Sequence, residues 1–472
     1  MKKILLLLFV FTAVVKPQSD SLVLSLNNLL SQPFFDTTAV SVSAYNLKNG
    51  KEIFSKNPYM LFRPASNLKV LTTSAGLVFL GPGYNFTTSL YYTGKISGGV
   101  LKGDLYVKGG LDPDFSLKDL DSLIGFLADA GIKKITGGIY GDVSAKDSIF
   151  WGDGWMWNDD PSTDFPYMSA LNINDNAVTI TVSPAGINER PAVKLHPDSK
   201  FFNIINSAKT INGSKESLEI TRDWMNRNNN IIISGSIGVN SKPVSNVVNV
   251  CKTDEYFLML FKEKLAKNNI RFSDSKNHFK AVPSGAALLN AHNIPFGTVI
   301  VNLNKTSDNL SAEMTLRALA GRYYGSNASA EKGLKLVDSL IILAGMNPKN
   351  YSIVDGSGVS HYNLVTSDLL SNILKFIYLK KPDLYSVLYN SFPVGGVDGT
   401  LKNRMKDSIV YNNVHAKTGT LSGVSTLSGY LKTEKGEDIA FSIMMQNYVG
   451  SSSRAKYYQD EIAKLLTKYG SK

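Results

Sequence analysis

Three short strings stand in one order along the chain: Ser66-Asn67-Leu68-Lys69, then Ser307-Asp308-Asn309, then Lys417-Thr418-Gly419-Thr420. Acting together they supply a serine nucleophile, a lysine base, a second serine and a cation that can anchor a carboxylate. For that to happen, polypeptide from near both ends of 472 residues must meet at one place.

The strings differ in specificity. S-x-x-K begins at Ser66, Ser273, Ser329 and Ser453, so at least three of the four matches are incidental. Context selects Ser66. It opens an apolar run at helical spacing, Leu68, Leu71, Ala75 and Val78, which Gly81-Pro82 stops. A nucleophile in the first turn of a helix meets the positive end of the dipole, and side chains three residues apart share a face, so Ser66 and Lys69 can hydrogen-bond. Ser453 instead precedes a Lys-rich amphipathic stretch, Arg454 to Lys468, where its lysine reads as part of a solvated face. Lys417-Thr418-Gly419 occurs once and reads as a polar strand. Ser307-Asp308-Asn309 is also ordinary capping chemistry for a helix over Leu310 to Tyr324, and the two roles are compatible.

Elements at the two ends complement one another. Before Ser66 come an amphipathic helix (Ser21 to Leu30), the alternating Val40-Ser41-Val42-Ser43-Ala44, a Lys48-Asn49-Gly50 turn and a strand from Glu52 to Ser55. At the far end stand strands Val414 to Thr420, Ser425 to Leu431 and Ile439 to Gln446, followed by a terminal helix. Five antiparallel strands in one sheet, with both terminal helices on it, let the nucleophile helix adjoin the K-T-G strand. The 241 positions from Ser66 to Ser307 far exceed what that connection needs, so something is inserted. Short strands with turn signals fill it: 103–107, 137–142, 177–182 and Ile231 to Ile237, while Ser199 to Asn240 nearly lacks helix signals. The insertion is expected to be mostly β.

A length of 472 residues implies two or three domains, and 19% charged against 43% hydrophobic residues is a globular balance. Met1-Lys2-Lys3 followed by the apolar Ile4 to Val15 has the form of a signal peptide, with removal expected between Ala13 and Asp20. The run is short for a membrane span. The single cysteine, Cys251, cannot form an internal disulfide and reads as a small buried residue. A formal charge of +11 favours anionic polymer or membrane surfaces, whereas no dense basic cluster points to nucleic acid. Five scattered histidines and one cysteine offer no zinc site, and no metal or cofactor is expected.

The set S-x-x-K, S-D-N and K-T-G is the known signature of penicillin-binding proteins and class A β-lactamases. Longer stretches sharpen the likeness: Gly103-Asp104-Leu105-Tyr106 with Gly109-Gly110, Gly154-Trp155-Met156-Trp157-Asn158-Asp159, Asp355-Gly356-Ser357-Gly358 and Val397-Asp398-Gly399-Thr400-Leu401. With these the chain resembles, over almost its whole mature length, the D-alanyl-D-alanine carboxypeptidase/endopeptidase family, the class C low-molecular-mass penicillin-binding proteins. The resemblance implies an α+β fold: a β-lactamase/DD-peptidase-like catalytic domain with an antiparallel five-stranded sheet and helices, carrying inserted, mostly β accessory domains. Mapped here, residues 1–20 are the signal peptide and 21–86 with 290–472 the catalytic domain. Residues 87–172 with 270–289 form the second domain, and 173–269 a third nested in it.

The resemblance further implies a serine-type D-Ala-D-Ala carboxypeptidase, also able to cut cross-links, that acts on peptidoglycan stem peptides, is acylated by β-lactam antibiotics and works in the periplasm or another extracytoplasmic space, with peripheral membrane or wall association. Ser66 is its nucleophile and Lys69 the base, which must be neutral although lysine's reference pKa is about 10.4. Burial and a second cation at Lys417 push it that way. Ser307 relays the proton to the departing amine, and Asn309 bonds the substrate backbone. Lys417 with Thr418 and Thr420 meets the free carboxylate, Gly419 lets the substrate backbone lie close, and the N–H groups of Ser66 and Thr420 form the oxyanion hole. Asp159, with Asp160 as alternate, is placed at a pocket for the amino end of the stem side chain. Ser357 and His361 line the site, His361 standing where relatives commonly carry arginine. A β-lactamase or esterase on the same scaffold and a non-catalytic wall-binding protein are the alternatives. No deacylating glutamate is assignable, since Glu313 belongs to the S-D-N-L-x-A-E run.

Overall fold

A computed structural model describes residues 18–273, 276–406 and 409–470. The basic start and apolar run assigned to a signal peptide, residues 1–15, lie outside them.

The two ends of the chain build one antiparallel sheet. Its order is His415–Leu421, Val424–Lys432, Asp438–Gln446, Ala39–Asn46, Glu52–Lys56, so the K-T-G strand is an edge. Alternation decides what each face meets. Val40, Val42 and Ala44, with Ile439, Phe441, Ile443 and Met445, bury against the terminal helices Gln18–Leu30 and Ser453–Thr467, through Leu22, Leu26, Ile462 and Leu466. Ala440, Met444 and Tyr430 face the other way, into a core with the helices Lys69–Phe79, Asn309–Tyr324 and Ser367–Lys380.

Ser41 and Ser43, which a half-buried strand would turn to water, are fully buried. Ser41 Oγ shares a hydrogen bond with Ser367 Oγ at 2.6 Å, and Ser371 Oγ donates to Ser43 Oγ at 2.8 Å. Small side chains let the Ser367–Lys380 helix lie close to the strand, and paired hydroxyls remove the cost of drying them. Close approach recurs at Gly76 in the Lys69–Phe79 helix, where a Cβ would stand 2.3 Å from the Phe296 ring.

Between Phe79 and Phe296 the chain forms a mixed five-stranded sheet, ordered His278–Phe279, Ile139–Asp142, Leu105–Lys108, Asn85–Tyr92, Ala287–Pro295. From Ala177 to Asn249 it runs as short strands in three small sheets. The segment from Ile231 to Ile237, read above as one strand, is two. Gly235 (φ +91°) turns the chain between Ile231–Ser234 and Ser236–Gly238, which join different sheets. A Cβ there would lie 1.9 Å from the Ser217 carbonyl oxygen, so glycine is required.

Two helices in the inserted part were not singled out from sequence, Leu117–Asp129 and Thr253–Lys267. The first carries a legible signal, a capping box in which Ser116 N–H and Oγ both donate to Asp119 Oδ2. Their apolar faces, Leu120, Ile124, Phe257 and Phe261, join one core with strand residues Leu105, Val107, Ile180 and Ile231.

Candidate active site

Ser66 sits in a single 3₁₀ turn, Ala65–Leu68, that runs directly into the helix from Lys69. The turn is held from several sides. Ala65 adopts φ +47°, a left-handed conformation that a non-glycine residue keeps only when its surroundings impose it. Thr426 Oγ1 donates to the Pro64 carbonyl at 2.7 Å. Asn67 is fully buried, and in the amide orientation that satisfies both its ends its nitrogen donates to the Lys417 carbonyl at 2.7 Å while its oxygen accepts from Ser428 and from the Leu427 N–H. One side chain inside S-x-x-K thus ties the nucleophile turn to the K-T-G strand and its neighbour.

Gly419 is needed for the same junction, since a Cβ would come within 2.9 Å of both the Pro64 carbonyl oxygen and the Ser66 nitrogen. The backbone that demands the space is the protein's own nucleophile turn.

Lys69 is fully buried and spends all three ammonium donors. They reach Ser66 Oγ at 3.0 Å, Asn309 Oδ1 at 2.5 Å and the Ser357 carbonyl at 2.7 Å. Burial lowers its pKa to about 8 against the pull of Asp355, Asp308, Glu313 and Asp164. A neutral amine keeps two N–H bonds, to Asn309 and Ser357, and turns its lone pair to the Ser66 hydroxyl. That is the geometry of a general base.

A second couple stands beside the first. Lys417, also fully buried, donates to Ser307 Oγ at 2.8 Å and to the Thr418 carbonyl at 2.9 Å. Burial, and then the charge on Lys69, hold its pKa well below the ordinary lysine value. Ser307 has φ +69°, so it is presented from a strained loop. The next residue, Asp308, caps the Asn309–Tyr324 helix by accepting from the Ser311 N–H at 2.5 Å, and Asn309 Nδ2 donates to the Asp164 carbonyl at 2.5 Å. The inserted part therefore closes one wall of the site.

Ser66, Ser307, Asn309, Thr418, Gly419 and Thr420 all line a cleft of about 220 Å³. Thr420 is exposed there, whereas the Thr418 hydroxyl donates to Thr400 Oγ1 at 2.7 Å. Asp164, Phe165, Thr306, Val359, Thr400 and Leu421 complete the walls, and none of them was singled out from sequence as a site residue. Thr400 stands in the Val397-Asp398-Gly399-Thr400-Leu401 stretch noted above, whereas no local pattern marks Asp164 and Phe165, which arrive from a segment that folds elsewhere.

The remaining candidates lie outside that cleft. Ser357 is fully buried and offers Lys69 its carbonyl, with no surface toward the cleft. Its turn is fixed by two carboxylates. Asp355 accepts from Trp155 Nε1 and from the Gly358 and Ser360 N–H groups, and Glu313 Oε1 accepts from the Gly356 and Ser357 N–H groups at 2.8 and 3.0 Å. Glu313 Oε2 pairs with buried Arg317 at 3.0 Å, so this carboxylate is structural. Asp159 accepts from the Met156 N–H at 2.7 Å, burial raises its pKa, and His361 is near enough to oppose that rise. His361 Nδ1 lies 3.1 Å from Arg63 Nη1. Asp160 is consumed in a buried ion pair with Arg222 and accepts from the Tyr167 hydroxyl, which removes it as an alternate to Asp159. Buried Cys251 donates its thiol to the Arg227 carbonyl.

Comparison with known proteins adds an independent line. The family model described as D-Ala-D-Ala carboxypeptidase 3 (S13) matches residues 22–469. The D-alanyl-D-alanine carboxypeptidase DacB of Haemophilus influenzae is 31% identical over 423 residues, 89% of this chain and 88% of its own. The crystal structure of penicillin binding protein 4 (dacB) from H. influenzae superposes with a TM-score of 0.83 at 28% identity, covering 95% of this chain and 99% of that one. A second structure of it, complexed with a novel β-lactam, gives 0.77 at 28% identity, with the same coverage.

Proposed function

We propose, from the premise that this chain belongs to the D-Ala-D-Ala carboxypeptidase 3 (S13) family, that Ser66 is the nucleophile of a serine D-Ala-D-Ala carboxypeptidase acting on peptidoglycan stem peptides. The observation that carries the assignment is the buried Lys69 amine, 3.0 Å from Ser66 Oγ with its other donors already bound.

The reaction is acyl transfer. Lys69 takes the hydroxyl proton as Ser66 Oγ bonds to the carbonyl carbon of the penultimate D-alanine, and the oxyanion sits on the backbone N–H groups of Ser66 and Thr420. The C–N bond to the terminal D-alanine then breaks. Its amine receives a proton through Ser307, and water hydrolyses the Ser66 ester. The substrate carboxylate reaches Lys417 and Thr420, with Thr418 beside them. Its negative charge favours the ammonium form of Lys417, and that charge in turn disfavours a second ammonium at Lys69. Substrate binding thus helps free the base. Asn309 bonds the substrate backbone, and Asp159 with His361 reads the stem side chain, while Asp164 is the acid on the cleft wall itself.

Cutting a cross-link is the same step with a longer leaving amine, so endopeptidase action needs no further residue. A β-lactam takes the substrate's place and acylates Ser66. The apolar N-terminal run directs the chain to an extracytoplasmic space, and a net charge of +11 favours peripheral attachment to wall polymer or membrane. Among the described residues no helix is long and apolar enough to cross a membrane.

The test is covalent labelling. Fluorescent penicillin should modify the wild-type chain, with the adduct mapping to Ser66 by peptide mass spectrometry, and Ser66→Ala should abolish both the label and D-alanine release from a defined muropeptide. A label that persists on the Ala variant refutes the assignment.

A further inference from the structure

A cavity larger than the catalytic cleft lies away from it. It measures about 610 Å³, within the range of small-molecule sites, and shares no lining residue with the cleft. Three distant segments meet around it: 143–150 and 167–170, then Arg227 with Cys251–Asp254, then Asn327 from the loop after the Asn309–Tyr324 helix. That loop is fastened to the first segment, Ala328 N–H donating to the Ala145 carbonyl and Asp147 N–H to the Ala328 carbonyl, both at 3.1 Å. The floor is apolar, with the stacked rings of Phe150 and Tyr167 at 5.7 Å.

Two groups of opposite charge face this space. Lys146 is 7% exposed, and its ammonium donates to the Asp147 carbonyl at 2.6 Å and lies 3.7 Å from Asp147 Oδ1, which leaves donor capacity unused. Asp254, at the first turn of the Thr253–Lys267 helix, accepts from Ser169 Oγ through Oδ1. The mechanism uses neither residue. Burial lowers the Lys146 pKa to about 8 and raises that of Asp254, so each charge is short of solvation. Exposed Arg227 and Lys252 add positive charge at the lining.

We infer that this cavity is a second peptide-binding site, taking a short zwitterionic peptide whose free carboxylate meets Lys146 and Arg227 and whose free amino group meets Asp254. Charge complementarity favours that class: the lining carries both signs, Lys146, Arg227 and Lys252 against Asp147 and Asp254, and the apolar floor accepts small aliphatic side chains. The choice of a stem peptide as occupant rests on the proposed function. The site holds a second stem peptide while the first is in the cleft.

The test uses full-length chain with its cleft blocked by benzylpenicillin, titrated calorimetrically with the tetrapeptide L-Ala-γ-D-Glu-L-Lys-D-Ala. One site is expected on the acylated protein. Its Kd should rise at least tenfold in Lys146→Met and in Asp254→Asn, and also, on the unaltered protein, when the peptide is N-acetylated or C-amidated. Penicillin acylation of both variants should proceed at the wild-type rate, which checks their fold. Absence of binding to the acylated protein, or binding indifferent to both peptide caps, overturns the inference and leaves the catalytic assignment standing. Failure of penicillin to acylate would instead strike the catalytic assignment. The same titration on unblocked protein, wild type against Lys146→Met, then still decides the cavity: equal affinities overturn it.

Discussion

The acidity of Lys69 can be read directly from how acylation of Ser66 depends on pH. In the proposed mechanism a saturating β-lactam has its carboxylate on Lys417, so the acylation rate follows the ionisation of the complex and Lys69 alone sets its lower limb. Only the neutral amine accepts the Ser66 proton, so the rate rises with pH and levels off once Lys69 is deprotonated. With a pKa of about 8, roughly a tenth of the amine is neutral at pH 7, against about 0.04% for a reference lysine near 10.4, a gain of about 200-fold. In free energy, burial makes loss of that proton about 3 kcal/mol easier. An ammonium at Lys417 moves the limb to pH 8 or below. Stopped-flow measurement of the limiting acylation rate from pH 5 to 10 should show a tenfold rise per unit ending at or below pH 8, then a plateau. A rate that climbs tenfold per unit to pH 10, or one flat from pH 5 to 9, would refute the role given to Lys69.

Lys417→Gln removes the charged partner proposed for the carboxylate, worth about 1.5–3 kcal/mol, so kcat/KM for acidic peptides should fall roughly 10- to 100-fold. In the same variant the lower limb of the limiting rate should move to higher pH, because the neighbouring cation is gone; an unmoved limb would show the two amines are uncoupled. Glu313→Gln keeps an acceptor for the Gly356 and Ser357 N–H groups but strands buried Arg317, and chemical denaturation should reveal a loss of about 3–5 kcal/mol. Gly76→Ala, which by helix propensity alone would stabilise by about 1 kcal/mol, should instead cost about 1–3 kcal/mol, because its methyl meets the Phe296 ring. A raised melting temperature would contradict that packing.

Legibility followed the range of the interaction. Ser66 and Lys69 lie one helical turn apart, and the strands around Val40 and Ile439 show their alternation within a few residues, so the sheet built from both chain ends could be assembled on paper. The same short-range logic gave the cap at Asp308. It failed where one residue changed the path, as at Gly235, where the Ser217 carbonyl leaves no room for a side chain, and it gave no reason for Asn67, whose partners are 350 or more positions away.

What the amino-acid order settled by itself is the chemical inventory: one serine with an amine a turn away, a second serine, a lysine flanked by threonine, and strands at both ends able to pair. Burial and proximity belonged to the tertiary structure. It made Ser357 a carbonyl for Lys69, spent Asp160 on Arg222, brought Asp164 to the cleft wall and lowered the basicity of two lysines. The reason is physical. A side chain's hydrogen-bonding groups are fixed by its covalent structure, whereas its pKa and its access to substrate depend on the solvent excluded and the charges gathered around it by segments distant in the chain.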